Sequence, residues 1–497
     1  MNPRVVIIGA GFGGIAAAVA LIAAGHRDVV LLERAGEIGG VWRDNRYPGC
    51  ACDVPAPLYS YSFAPNPSWS RRFPPHREIL DYLRRTADRL GVTPLVRLNT
   101  EVAEAAWDEA AGCWRLRTAG GGEVLADVLV PAVGQLTRPS IPVLPGAELF
   151  RGSALHTARW DPQVPIDGRR IAVVGTGASA IQLVPAIADR AGRVTVFQRT
   201  AAWTLPKPDR RYGAVRRAAY HRMPALMRLP RAGVWAMSVF TGLAITGNRG
   251  AQAFLRGVSG LQRRWQARDP QLRAKTTPDE PMGCKRVLFT SDWLPTLGRP
   301  DVDLVTEKIV AVEPGGVRTA DGRLHECDVL VYATGFAATE FLVPMRVTGR
   351  SGQVLAEQWR DGARAYLGMA VPGFPNLFLI YGPNTNSGNT SVLYFHEAQA
   401  RYLVQAVRRV AAGEGPLEVR PEVATRFDEE MQRRLATSVW TGCQSWYRTA
   451  AGRIVTNWPG QAAEYRRRVA RLRPADYQVP LKTAFERAHQ AGAPPVD

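Results

Sequence analysis

Cysteine is scarce: six in 497 residues, with only Cys50 and Cys52 near each other. Disulfide-rich scaffolds and thiolate metal sites need paired, regular spacings. Neither a disulfide framework nor a metal centre is expected, and a reducing cytoplasm fits. Long apolar runs are also missing. The most apolar stretch, Val234 to Gly247, has 14 residues, short of the roughly 20 that span a bilayer. The chain passes from Met1-Asn2-Pro3-Arg4 directly into VVIIGAG, with no secretory signal pattern. Acidic residues are the third deficit. Between Lys207 and Lys275 there are 15 Lys and Arg against Asp209 and Asp269, so this segment carries +13 of the net charge of +19. Such a run suits a nucleic-acid or anionic membrane surface, while an Arg-rich solvated face is the plainer reading. The overall expectation is no nucleic-acid partner, with peripheral membrane contact open.

What is present is the composition of a folded globular protein, 46% hydrophobic and 22% charged. The length implies roughly two to four domains, and the Pro/Ala-rich stretch after about Ala484 reads as disordered. Two stretches align without a gap at an offset of 166 residues: RVVIIGAGFGGIAAAVALIAAGHRDVVLLER from Arg4 and RIAVVGTGASAIQLVPAIADRAGRVTVFQR from Arg170. Each reads as strand, glycine-rich turn, helix and strand, a βαβ unit used twice.

The first turn holds Gly9, Gly11 and Gly14 in a complete G-x-G-x-x-G. The three glycines allow a tight turn, backbone approach to a pyrophosphate and close helix packing. The helix N-terminus then offers free N–H groups. Glu33 ends the second strand, placed to accept from the hydroxyls of an adenosine ribose. The second turn holds Gly175, Gly177 and Ser179, with Ala180 at the third glycine position; Arg199 occupies the repeat equivalent of Glu33. A carboxylate repels a 2′-phosphate and a guanidinium attracts one. The first unit is therefore expected to hold FAD or NAD and the second NADPH. That pairing implies electron flow from NADPH to flavin. With no C-x-x-C to receive the electrons, molecular oxygen is the remaining common acceptor.

Three further motifs carry a resemblance to a known family: Phe150, Gly152, His156, Trp160 and Asp161 as F-x-G-x-x-x-H-x-x-x-W-D; Gly39, Gly40, Trp42, Tyr47, Pro48, Gly49 and Asp53 as G-G-x-W-x4-Y-P-G-x3-D; and YATGF at Tyr332 to Phe336. From Val5 to about Arg468 the chain resembles the class B flavoprotein monooxygenases, and within them the type I Baeyer–Villiger monooxygenases. The resemblance implies an α/β fold with two Rossmann-like domains: FAD-binding (1–155), NADPH-binding (156–334, with a helical insertion at about 207–280), and FAD-binding again with a C-terminal segment (335–497). It also implies insertion of one atom of O2 beside a ketone carbonyl through a flavin C4a-peroxide, giving an ester or lactone. Oxygenation at nitrogen or sulfur, a peroxide-producing oxidase and a catalytically silent flavin module remain alternatives.

By the same resemblance Arg286 is the catalytic arginine, with Asp53 as its partner. Lys285, Arg199 and Thr200 bind the NADPH phosphate, and Trp446 belongs to a segment that folds over NADP. Trp42 and Tyr59 are expected around the isoalloxazine. Phe150, Gly152, His156 and Trp160 are expected to form a linker that couples cofactor binding to domain motion, His156 acting as a packed hinge. The segment Tyr381 to Leu403 reads as a polar loop and a helix facing the flavin pyrimidine, with His396 a satisfied helix histidine. The insertion, alternating apolar and basic residues at roughly helical spacing, is expected to roof a channel for a hydrophobic substrate.

Overall fold

A computed structural model of the protein describes residues 2–478, so the stretch after Ala484 lies outside the described residues. Both repeats form the expected units. Strand Val5–Ile8 turns into helix Phe12–Ala23 and returns as Val29–Leu32; strand Arg170–Val174 turns into helix Ala180–Ile187 and returns as Arg193–Phe197. Each strand pair is parallel, Val5 facing Val29 and Arg170 facing Arg193. The first strand is apolar at every position because both faces are covered: Val5, Val6 and Ile7 are fully buried.

The first sheet runs Val96–Arg97, Val29–Leu32, Val5–Ile8, Val128–Pro131. The chain returns to it late: Phe378 and Ile380 donate backbone bonds to Leu129 and Pro131, and helix Val392–Ala411 packs on helix Phe12–Ala23. The second sheet runs Val302–Val305, Arg193–Phe197, Arg170–Val174, Val329–Tyr332, Ser153–His156, all parallel. The architecture is α/β with two Rossmann-like domains. The edge strand Ser153–His156 belongs to the second sheet, so a boundary between 155 and 156 falls within it.

The basic segment forms helices Ala214–Arg222, Arg228–Ile245, Arg249–Gln266 and Pro270–Lys275. Among the described residues no helix is long and apolar enough to cross a membrane.

Candidate active site

The site begins at the two glycine turns. Gly9 and Gly175 have φ of +104° and +109°, and a Cβ on either would meet a carbonyl oxygen, of Ala132 at 2.8 Å or of Ala333 at 2.7 Å. At Gly14 an added Cβ would lie 1.9 Å from the Gly9 oxygen, so helix and turn close only around glycine. Gly11 faces the Cα of Gly40 at 3.7 Å and Gly177 faces nothing within 4 Å. These open backbones lie where a pyrophosphate approaches, and a side chain would fill the cradle. Both turns therefore fit dinucleotides. Ser179 precedes the helix Ala180–Ile187 without capping it through its side chain.

The residues after the second strands differ between the two units. Glu33 is buried. Its carboxylate accepts from Ala10 N at 2.9 Å, Ala35 N at 3.0 Å and Arg43 Nη1 at 2.9 Å. Oε2 carries only the Ala10 bond among these and keeps acceptor capacity for a ribose hydroxyl. Arg199 is exposed and has no ion-pair partner among the described residues. Lys285 Nζ reaches Thr200 Oγ1 at 2.8 Å and the Glu280 carboxylate at 2.8 Å. Arg199, Thr200 and Lys285 thus lie at one end of the second unit, with Glu280 as the anion paired to Lys285.

Asp53 and Arg286 are 233 residues apart in sequence and meet as a two-pronged pair. Arg286 Nε and Nη2 donate to Asp53 Oδ2 and Oδ1, both at 2.8 Å. The side chains are 31% and 20% exposed, half-buried beside Cys52, Tyr381 and Tyr447. The carboxylate holds the guanidinium above its usual range, against the opposing cost of burial. Burial also pushes up the neighbouring phenols, Tyr447 to about 12 and Tyr59 further. Trp42, in the short helix Val41–Asp44, donates its indole N–H to Tyr59 at 2.9 Å; Tyr59 stands edge-on to Phe12 at 5.4 Å, tying this group to the first glycine turn.

The motif from Phe150 to Trp160 is packed into the second domain. Gly152 is required because a Cβ would lie 2.3 Å from Asp328 O and 2.7 Å from the Phe150 ring. His156 is buried, its Nδ1 accepting from Ala158 N at 3.1 Å and its ring edge-on to Phe336. Burial lowers its pKa. Trp160 is buried in the second core, and its carbonyl accepts from Arg46. None of the three touches Arg286 or Asp53. The insertion lies over the polar loop before helix Val392–Ala411: Asn389 donates to Ser238 O at 2.6 Å, Trp235 meets Tyr394 at 4.6 Å, and Arg231 donates to Pro57 O and Ser60 O.

Two expectations are corrected. Cys284 and Cys443 form a disulfide across 159 residues, where none was expected. Only folding brings them together, so spacing gave no signal. The bond joins the loop before Arg286 to the segment carrying Trp446, which is 36% exposed and lies 4.2 Å from Tyr447. His396 is not satisfied: it is buried, and neither ring nitrogen has a hydrogen-bond partner.

Sequence reasoning also missed Gln182. Its side-chain amide exchanges two hydrogen bonds with the Ala51 backbone, at 3.0 and 3.2 Å, and accepts from Tyr47 Oη at 3.2 Å. Gly49, at φ +79°, lets this loop approach the helix, since a Cβ would lie 2.3 Å from Gln182 O. The loop bearing Asp53 is thereby docked on the second domain. A glutamine inside a helix carries no local signal of such a role.

The chain is similar to known proteins over nearly its whole length. The profile of the family described as pyridine nucleotide-disulphide oxidoreductase matches residues 6–228. A Baeyer-Villiger monooxygenase of Streptomyces coelicolor is 43% identical over 480 residues, covering 96% of this chain and 92% of that protein. Among solved structures, an oxidized steroid monooxygenase bound to NADP superposes with a TM-score of 0.84 at 29% identity, covering 96% of this chain and 99% of that one. An OTEMO complex with FAD and NADP gives 0.85 at 26%, covering 96% and 100%. The chain belongs to the Baeyer–Villiger monooxygenases, FAD-containing and NADPH-dependent enzymes.

Proposed function

We propose that the protein inserts one oxygen atom from O2 beside the carbonyl of a hydrophobic ketone, with the Arg286–Asp53 pair as its electrostatic centre. FAD reduced by NADPH supplies the oxygen-activating chemistry. The first glycine turn and Glu33 hold FAD, with Gly40, Trp42 and Tyr59 against the ring. The second turn, with Arg199, Thr200 and Lys285, holds NADPH and selects the 2′-phosphate, and Trp446 covers it.

The single observation carrying the chemical reading is the bidentate pair at 2.8 Å. A guanidinium cannot give up its proton near neutral pH. Held by Asp53, it presents a fixed positive charge where negative charge develops on the carbonyl oxygen during attack. The phenols of Tyr59, Tyr381 and Tyr447 stay protonated, since burial pushes each up. They add no competing negative charge. Val234 and Trp235 of the insertion helix, on the side toward the Asn389 loop and Tyr394, support an apolar substrate. A cytoplasmic setting belongs to the same proposal: Cys50, Cys52, Cys113 and Cys327 are free thiols, and a disulfide in that compartment is commonly redox-responsive.

The test is mass spectrometry on a panel of ketones and sulfides with NADPH and labelled O2. Esters or lactones carrying one labelled oxygen support the reading. NADPH consumption that yields only hydrogen peroxide across the panel, or labelled sulfoxides with no ester, removes it.

A further inference from the structure

One face of the insertion has no partner among the described residues. Helix Arg228–Ile245 turns Leu229, Phe240 and Leu243 to solvent, and helix Arg249–Gln266 turns Phe254, Leu261 and Trp265. The separations of 11 and 3 residues on one helix, and 7 and 4 on the other, keep each set along one side. Phe240 and Phe254 meet edge-on at 5.7 Å, so the two stripes join into one surface. Exposure is high, 73% for Leu229, 60% for Phe254 and 76% for Trp265. Contiguous apolar surface of this kind marks an interaction site.

Its surroundings are of one sign. Arg228, Arg249, Arg264 and Arg268 are exposed on or beside the two helices, and no Asp or Glu occurs between Asp209 and Asp269. We propose that this helix pair docks on the surface of an anionic lipid bilayer, the apolar side chains entering the headgroup boundary and the arginines meeting lipid phosphates. Lipid accounts for both features at once. A second copy of the chain would bring two arginine-rich faces of like charge together, and a nucleic acid leaves the apolar stripes unexplained. No helix among the described residues can cross a membrane, so the pair lies in the interface plane. The opposite side of helix Arg228–Ile245, at Val234, Ser238 and Gly242, packs toward the Asn389 loop. Docking therefore sets the proposed active site beside the bilayer, where lipophilic ketones collect. That consequence rests on the proposed function; the docking does not.

The experiment is sedimentation of the full-length holoenzyme with vesicles of phosphatidylcholine alone or mixed with phosphatidylglycerol, at low and high salt. The protein is expected to pellet with mixed vesicles at low salt and to be released by salt. Each arginine at an anionic surface is worth about fivefold in partitioning, so Arg228→Gln with Arg264→Gln lowers it about 25-fold. Phe254→Ser with Trp265→Ser lowers it about tenfold or more. Both double variants are expected to keep flavin content and NADPH oxidation, which separates loss of docking from loss of fold or activity. Wild-type protein that stays in the supernatant, or pelleting that neither double variant weakens, overturns the proposal. A dimer that Phe254→Ser with Trp265→Ser dissociates, without pelleting, assigns the face to a second copy and also overturns it.

Discussion

Replacing Arg286 and Asp53 by alanine, singly and together, separates the charge at the site from its orientation. Arg286→Ala removes the positive charge. Loss of one preorganised group that stabilises developing negative charge typically costs about 100- to 1,000-fold in rate, roughly 2.7–4 kcal/mol. Asp53→Ala leaves the charge and removes its anchor, two bonds of 2.8 Å between side chains 31% and 20% exposed. A hydrogen bond to a charged group is worth about 1.5–3 kcal/mol when buried, and surface pairs much less. Partial exposure therefore sets the anchoring at about 1–2 kcal/mol, a loss of roughly 5- to 30-fold. Because Asp53 acts through Arg286, the double variant is expected to match Arg286→Ala rather than multiply the two losses. The assay is ester or lactone formed per NADPH consumed, with flavin absorbance as the control for folding. Normal product from Arg286→Ala refutes the role of the guanidinium. A double variant weaker by the product of both single effects refutes the claim that Asp53 works through it.

Arg199→Ala is expected to raise KM for NADPH by roughly 10- to 150-fold, the scale of one charged hydrogen bond, while leaving KM for NADH unchanged; equal shifts for both cofactors in steady-state kinetics would dismiss the 2′-phosphate assignment. Reducing Cys284–Cys443, or replacing Cys443 by serine, is expected to lower stability by about 2–5 kcal/mol because the bridge closes a long loop. Thermal melts with and without reductant check this, and a melt indifferent to reductant in the wild type contradicts it. Burial lowers the His396 pKa to about 3, against an ordinary 6.5. The unfolded chain therefore binds the extra proton between those values, and stability is full above pH 6.5 and lost as pH falls toward 3. His396→Leu is expected to remove about 1.4 kcal/mol per pH unit from that slope, measured as urea midpoints from neutral to acid pH; identical slopes would falsify the buried neutral imidazole.

The backbone of the two nucleotide units was legible because its determinants are local. β-branched runs buried on both faces, glycines at fixed offsets and the residue ending the second strand all lie within about thirty residues, and the Glu33 and Arg199 contrast needed only the internal repeat. The arrangement of the site is not local. Asp53 and Arg286 are 233 residues apart, Gln182 and Ala51 131, Cys284 and Cys443 159. The first pair was anticipated through family resemblance; for the others no spacing rule exists. The six apolar residues of the insertion's bare face make the same point. Helical periodicity groups Phe254, Leu261 and Trp265 on one face whether that face is buried or bare. Periodicity is a property of the chain, whereas burial depends on what the rest of the molecule places against it. By itself the sequence determined where the chain turns around two nucleotides. Tertiary structure alone decided which distant side chains meet there, and which apolar face was left uncovered.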